Sequence, residues 1–209
     1  MSELAAGFGE RVITPPLGVD LCGYGFYLDR KAASVLDDLK CRAVYLRAGD
    51  RALLLASCDI IGFAVEEADR IRAAIAAALG LPRANVLLAA THTHCGPATQ
   101  PMPGLGDVDA AYKERLRMLI LEAAVEAAAS PRPSEFAYAL EAIEPLGFNR
   151  RKKNFCGVDP VLKAAIFRTP ERKIYLLSYA CHAVVFGRKS HVSADWPGAV
   201  VRETPPPAK

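Results

Sequence analysis

A hairpin pattern followed at once by a helix pattern constrains this fold most. Residues 39–48 and 51–58 are apolar, strand-like runs, and Gly49-Asp50 between them is typical of a tight turn. Residues 65–79 then repeat apolar side chains at helical spacing and carry acidic residues in the first turn. These patterns therefore predict two paired strands that pack against a helix.

The next strand-like run ends in an unusual group of polar residues. Gly80 stops the helix pattern, and the short apolar run Asn85–Thr91 predicts a strand buried on both faces. A strand, a helix and a further strand in succession indicate α/β packing.

Helical and strand patterns continue through the rest of the chain. A second helix is predicted over roughly Ala110–Ala129, with Asp107 or Asp109 as its cap. Strand-like runs then follow at Glu135–Ile143, Val161–Phe167 and Lys173–Ala180. We expect an α/β fold: a layered domain with a mixed β-sheet flanked by helices.

The last residues indicate an incomplete part of a larger domain. A proline-initiated helix is predicted to begin at Asp195 and to stop after little more than a turn, at the TPPPAK ending. Residues 1–209 are therefore interpreted as one partial domain.

The composition is that of a globular protein. Hydrophobic residues make up 52% and charged residues 23% of the 209, and the formal net charge is only +3. The basic residues are spread out except for the run 150–153, so no nucleic-acid partner is expected.

Sequence features that direct a chain to a membrane or out of the cell are not seen. The first residues lack a basic stretch followed by an apolar one, and no apolar run approaches the roughly 20 residues of a spanning helix. The six cysteines form no CxxC pair, which fits reduced thiols. We therefore expect a cytoplasmic protein without a transmembrane segment.

The sequence LLAATHTHCGP at residues 87–97 predicts a site at a strand end. Side chains two apart share a face of a strand, so His92 and His94 would point the same way if the strand persists. Such a pair suits one metal ion, or a metal ligand beside a proton donor. Two solvated histidines at a polar strand end are the alternative.

A third histidine stands in a similar position. His182 follows the apolar run IYLLSYAC, and this suggests a second ligand arriving from another strand end. A satisfied structural histidine is the alternative there. His191 lies in a polar loop, and no functional role is expected for it.

Other polar residues near these strand ends could support the site. Asp59 and Asp195 could orient a histidine, or serve as turn or cap residues. Arg150 could hold a carboxylate or an oxyanion, or lie in a solvated basic loop. Cys95 could be a soft ligand or nucleophile, although a passive role is favoured because a Gly-Pro turn follows it. The Gly/Pro-rich residues 13–25 should form a rigid loop near the site or its entrance.

Taken in order, several segments resemble the amino-terminal catalytic domain of the neutral/alkaline non-lysosomal ceramidase family. The resemblance runs from about Gly7 to Val201 and rests on ITPPLG, LKCRAVYLRAG, ALLLASCDIIGF, VLLAATHTHCGP, FNRR, YACH and SADWPG. The segment THTH with its Gly-Pro turn, and the later CH and SADWPG, are the most specific parts.

The resemblance implies a zinc-dependent amidase that hydrolyses the N-acyl bond of ceramide, or of a related N-acyl lipid, to a fatty acid and an amine. By position, His92 and His182 would bind Zn²⁺, His94 would stabilise the tetrahedral intermediate, and Arg150 would help to hold the substrate. Independently of the resemblance, Asp59, Cys95 and Asp195 are predicted from their positions to support the site or the substrate.

Two departures from the family pattern matter. Cys95 replaces a serine that is common in the family, and the glutamate and tyrosine that complete the zinc site are expected beyond these 209 residues. A catalytic zinc usually has three protein ligands. The alternative is thus a truncated, catalytically silent binding domain, which would self-associate through uncovered apolar surface.

A metal hydrolase of the TIM-barrel type is a third interpretation. Such enzymes also place an HxH pair at a strand end, but normally on the first strand of the barrel. Here at least two strands and a helix precede the pair.

Overall fold

The computed structural model describes residues 3–27 and 29–203. Its main element is a five-stranded sheet in the order β5-β4-β3-β1-β6. The strands are β1 (Leu4–Val12), β3 (Lys40–Ala48), β4 (Arg51–Cys58), β5 (Val86–Ala90) and β6 (Arg132–Pro133). Strands β4 and β5 are parallel and the other neighbours are antiparallel, so the predicted mixed sheet is confirmed.

Two helices cover one face of this sheet. These are α1 (Val65–Leu79) and α2 (Ala110–Ala129), and both were predicted with these bounds. Buried side chains of the helices, such as Ile75 and Ile120, join Leu54 and Ala56 of β4 in the main core. Asp109 caps α2 by accepting a hydrogen bond from the backbone of the third residue after it, at 2.6 Å.

Strand β1 was not predicted from the sequence, and its glycines explain why. Gly7 and Gly9 weaken a strand pattern, yet both lie where α2 crosses the sheet. A Cβ atom on Gly7 would lie 1.9 Å from the carbonyl oxygen of Ala127, and one on Gly9 would lie 2.2 Å from that of Ala123. The glycines therefore allow the helix to approach the backbone of the sheet.

A second, antiparallel sheet packs on part of the other face. It contains β7 (Glu135–Ala142), β8 (Val161–Arg168) and β9 (Lys173–Ser178) in the order β7-β8-β9. Phe167 and Ile174 of this sheet are buried against Ala6 and Val44 of the first. The helices, the main sheet and this second sheet form the layered arrangement expected of the fold.

Large apolar side chains of the second sheet remain exposed. Phe136, Tyr138 and Leu140 on β7 are each more than half exposed, and Leu177 on β9 is 42% exposed. The predicted self-association would use such a surface, and it stays a prediction.

Short elements complete the structure. A parallel pair joins β2 (Ser34–Val35) to β10 (His191–Val192), and α3 spans Asp195–Glu203. Helix α3 is thus longer than the single turn expected, since its nine residues make about two and a half turns. Residues 204–209, which include the expected TPPPAK stop, lie outside the described residues.

The expectation for β5 was partly wrong. It is an edge strand and alternates in burial, with Val86 buried and Leu87 47% exposed, so it is not covered on both faces. It also ends at Ala90, before the histidines, and a 3₁₀ turn (Arg83–Asn85) precedes it.

The open, mixed sheet differs from the all-parallel closed sheet of a TIM barrel. In the two described ranges, no helix is both long and apolar enough to cross a bilayer.

Candidate metal centre

Three histidine side chains converge beyond the ends of β5 and β9. The Nε2 atom of His94 lies 2.8 Å from Nε2 of His182 and 3.3 Å from Nε2 of His92. One nitrogen from each ring lies within 4.8 Å of the other two, a spacing that lets all three bind a single metal ion. The structure thus brings together the three histidines singled out in the sequence.

The backbone, and not a continued strand, aims His92 at this point. His92 has a left-handed backbone conformation with φ of 63°, which is uncommon outside glycine and is often found at functional sites. Its backbone N–H donates to the carbonyl of Ile60, and its ring Nδ1 lies 2.6 Å from the carbonyl oxygen of Ile61. A proton on Nδ1 would satisfy that carbonyl and leave the Nε2 lone pair free to bind a metal.

Thr93, between the two histidines, anchors the turn from the opposite side. Its side chain is fully buried, and its hydroxyl donates to the carbonyl of Ser193 at 2.7 Å and accepts from the N–H of Cys95 at 3.1 Å. Ser193 in turn donates to Asp37, which also accepts from the N–H of Ala194. The THTH segment is therefore tied to the chain that leads into α3.

The ring of His94 packs against the predicted Gly/Pro-rich loop. A Cβ atom on Gly23 would lie 2.5 Å from Cγ of His94, and the ring of Tyr24 meets His94 edge-on at 5.2 Å between centroids. The guanidinium of Arg30 lies over the Tyr24 ring and donates to the backbone carbonyl of His94 at 3.1 Å. The expected position of residues 13–25 beside the site is confirmed for its last residues.

His182 arrives on the segment that follows β9. The carbonyl of Ala183, the next residue, accepts a long hydrogen bond of 3.3 Å from the N–H of His94. The fully buried carboxylate of Asp195 accepts from the backbone N–H groups of Val185 and Phe186 at 3.1 and 3.3 Å. Asp195 thus fixes the turn after His182 through backbone contacts, while also standing at the start of α3.

Burial and the neighbouring rings favour neutral imidazoles at His94 and His182. Burial, followed by the nearby His182 and His92, lowers the pKa of His94 to about 4. Burial and the charge of His92 also lower the pKa of His182. Neutral imidazoles carry the lone pairs that a metal ion needs.

Arg150 lies close enough to act on two of these rings. Its side chain is exposed, on the loop between β7 and β8, and its positive charge helps to lower the pKa of both His94 and His182. The charge of Arg150 therefore acts on two of the three rings, and its role in holding the substrate stays a prediction.

The other two residues considered in the sequence contact different groups. The buried carboxylate of Asp59 accepts from the backbone N–H of Lys40 at 3.0 Å and from the guanidinium of Arg42 at 3.1 Å. Cys95 is buried, its sulfur lies 3.9 Å from the carbonyl oxygen of Gly187, and burial raises the pKa of its thiol. The supporting roles of Asp59, Cys95 and Asp195 remain predictions.

Sequence reasoning missed several residues that shape the site. Alternation around THTH could have indicated a buried Thr93, since the residue between two outward histidines points inward. Gly23 carried a weaker signal as part of a Gly/Pro-rich loop. Asp37 and Arg30 carried none, because each acts on a segment more than 60 residues away.

Comparison with solved structures finds four chains of similar fold. One is a ceramidase determined in complex with C2, with a TM-score of 0.79, 20% identity, and coverage of 95% of this chain and 34% of the ceramidase. Another is the neutral ceramidase of Pseudomonas aeruginosa, with a TM-score of 0.76, 20% identity, and coverage of 95% and 35% respectively. The chain spans about a third of the length of each.

At this identity the likeness is one of fold. This chain has the fold of part of a neutral ceramidase, and the fold expected from the sequence motifs is confirmed. No profile of a known protein family matches the chain, and no curated protein sequence matches it.

Proposed function

We propose that this chain supplies the histidine side of a zinc-dependent amidase centre that hydrolyses an N-acyl lipid amide of the ceramide type. The convergence of His92, His94 and His182, with Nε2 separations of 2.8 and 3.3 Å, is the observation that carries the proposal. The ceramidase fold supports the substrate class.

The donor set fits zinc. Imidazole nitrogen is a preferred zinc ligand, and the lowered pKa values of His94 and His182 favour their neutral, metal-binding forms. The contact between Nδ1 of His92 and the carbonyl of Ile61 is the outer hydrogen bond that metal-binding histidines usually make. In this proposal His92 and His182 bind the ion, and a glutamate and a tyrosine outside these 209 residues complete its ligands.

Each remaining side chain has a separate task. A bound zinc ion supplies a water molecule of lowered pKa and polarises a carbonyl group. His94 hydrogen-bonds the amide carbonyl oxygen as negative charge develops on it. Arg150, a fixed positive charge beside His94 and His182, holds the polar end of the substrate.

Zinc content and amide hydrolysis, measured on the same preparations, test this division of tasks. His94→Ala should keep its zinc and lose amide hydrolysis by about 100-fold or more, the effect of losing one oxyanion donor. His191→Ala should keep both, because His191 contacts Ser34 in a separate strand pair. The substrate is a fluorescent N-acyl sphingosine.

Two outcomes would contradict the proposal. Hydrolysis that is unchanged after chelation would remove the metal from the mechanism. A wild-type chain that is loaded with zinc yet leaves the amide intact would favour the catalytically silent binding domain instead.

A further inference from the structure

We propose that residues 148–156, here named the basic loop, dock this chain onto an anionic lipid surface next to the histidine cluster. The proposal deepens the proposed function, since a lipid amide would be met at such a surface. Its evidence is independent of any hydrolysis.

The basic loop is held in shape by its own hydrogen bonds. The backbone N–H of Asn149 donates to the carbonyl of Asn154 at 2.7 Å, which closes the loop. The side-chain oxygen of Asn149 accepts from the N–H groups of Arg151 and Lys152, each at 3.1 Å. Its side-chain nitrogen donates to the carbonyl of Cys156 at 3.0 Å. The loop therefore presents its tip in a defined orientation.

Paired aromatic rings stand at the base of the loop. Phe148 and Phe155 meet edge to face with centroids 5.3 Å apart, and they are 53% and 55% exposed. Nearby Leu146 is 63% exposed. Together these side chains form an apolar surface that water solvates poorly and that a membrane interface would cover.

Four positive charges stand at the tip of the same loop. Residues 150–153 are all exposed, and the ion pairs found among the described residues include none of them. Their charges are thus available to an external anion. Each basic residue near an anionic lipid surface strengthens binding by roughly fivefold. Basic side chains beside apolar rings match the boundary between anionic headgroups and acyl chains.

The loop lies on the side of the molecule that carries the histidines. The backbone N–H of Leu146 donates to the hydroxyl of Tyr179 at 3.1 Å, and a Cβ atom on Gly147 would lie 2.7 Å from the carbonyl oxygen of Ala180, so the loop begins against the segment that leads to His182. Other exposed apolar side chains stand on loops around the same site. Val185, three residues after His182, is 70% exposed, and Phe26, three residues after Gly23, is 66% exposed. Docking by the basic loop would therefore bring the lipid surface to the mouth of the site.

Sedimentation with vesicles tests the proposal. The full chain is mixed with vesicles of phosphatidylcholine alone, and with vesicles of phosphatidylcholine and phosphatidylserine, both free of N-acyl amides. We expect strong binding to the anionic vesicles only. The double variant Lys152→Ser/Lys153→Ser should bind them roughly 30-fold more weakly. Phe148→Ser/Phe155→Ser should weaken binding at least about tenfold, with the remaining binding more sensitive to salt.

Matched variants elsewhere give the controls. Arg47→Ser/Arg51→Ser removes two exposed positive charges at the β3–β4 hairpin, and should bind like wild type. Phe136→Ser is the control for the phenylalanine pair and should also bind like wild type. Its ring is 57% exposed and lies 5.3 Å from that of Phe167 between centroids, as Phe148 lies from Phe155. Far-ultraviolet circular dichroism confirms that each variant is folded.

Several results would overturn the proposal. Equal binding to neutral and anionic vesicles, or loop variants that bind like wild type, would do so. An effect of the lysine pair without one of the phenylalanine pair would reduce the loop to a general anion binder. Because the vesicles carry no substrate, a chain that binds them without hydrolysing amides keeps this proposal and loses only the proposed function.

Discussion

The Nε2 atoms of His94 and His182 lie 2.8 Å apart although 88 residues separate them in the sequence. Burial lowers the pKa of both rings and so favours their neutral forms. Two neutral ring nitrogens at this distance are satisfied by a shared proton or by a shared metal ion. The surrounding contacts that hold them together can be tested one by one.

Gly23 is predicted to be required for the position of the His94 ring. In Gly23→Ala the new methyl group would meet Cγ of His94 at 2.5 Å, at a backbone φ of 117° that disfavours alanine. We expect amide hydrolysis to fall by about tenfold or more, because His94 would be displaced from the carbonyl oxygen, while the zinc content stays unchanged. Hydrolysis of the fluorescent N-acyl sphingosine and elemental analysis measure the two.

Gly18→Ala is the matched control for this change. Gly18 also has a positive φ, of 91°, but a Cβ atom there would meet nothing within 4 Å. It should cost about 1 kcal/mol of stability from backbone strain and leave amide hydrolysis unchanged. Equal losses of hydrolysis in the two variants would show that strain, and not the contact with His94, is responsible.

The hydroxyl of Thr93 is predicted to stabilise the fold. Thr93→Val keeps the shape of the side chain but leaves the buried Ser193 carbonyl and Cys95 N–H without this partner. The free energy of unfolding should fall by about 1–3 kcal/mol in urea denaturation. Thr93→Ser, which keeps the hydroxyl, should lose less. A valine variant as stable as the serine variant would contradict this role.

Glu67 is predicted to make stability depend on pH in the acidic range. Its buried carboxylate on α1 accepts from Arg117 at 2.8 Å and pairs with Lys113 at 3.1 Å, both on α2. The hydrogen bond from Arg117, and then that from Lys113, lowers its pKa. Its contribution is therefore present above the unfolded pKa of about 4.3, and is lost as pH falls through the lower folded value.

Unfolding measured at several pH values checks this contribution. Glu67→Gln should lose about 1–2 kcal/mol at neutral pH, and its difference from wild type should shrink as the solution becomes acidic. Glu114→Gln is the control, because Glu114 also pairs with Arg117 but is largely exposed, so a change within about 0.5 kcal/mol is expected. A Glu67 effect that is constant with pH would rule out the carboxylate charge as its source.

Local patterns predicted much of the fold. The β3–β4 hairpin and the helices α1 and α2 follow from turn residues, caps and periodicity, all of which are local signals. Strand β1 was not predicted because Gly7 and Gly9 weaken the strand pattern. These glycines are required by the close approach of helix α2, which is more than 100 residues away in the sequence. The exposed face of β5 likewise depends on how far the second sheet extends, which no local pattern encodes.

The three histidines of the site could be predicted from the sequence, but the residues that hold them in position could not. The three histidines stood out because each follows an apolar, strand-like run. No sequence pattern indicates the left-handed backbone at His92. The prediction that His92 and His94 point the same way assumed a continued strand, whereas in the structure the left-handed turn directs His92 to the site. The contacts of Asp37 with Ser193 and of Gly23 with His94 join segments that are distant in the sequence, so only the folded structure reveals them.

Zinc stoichiometry tests the central claim most directly. The purified chain, stripped with a chelator and dialysed against zinc, should retain about one zinc per chain by elemental analysis if His92 and His182 form one site beside His94. His92→Ala and His182→Ala should each retain almost none, while His191→Ala should match wild type. Zinc contents of the His92 and His182 variants that equal the zinc content of the wild-type chain would contradict a metal centre built on these histidines.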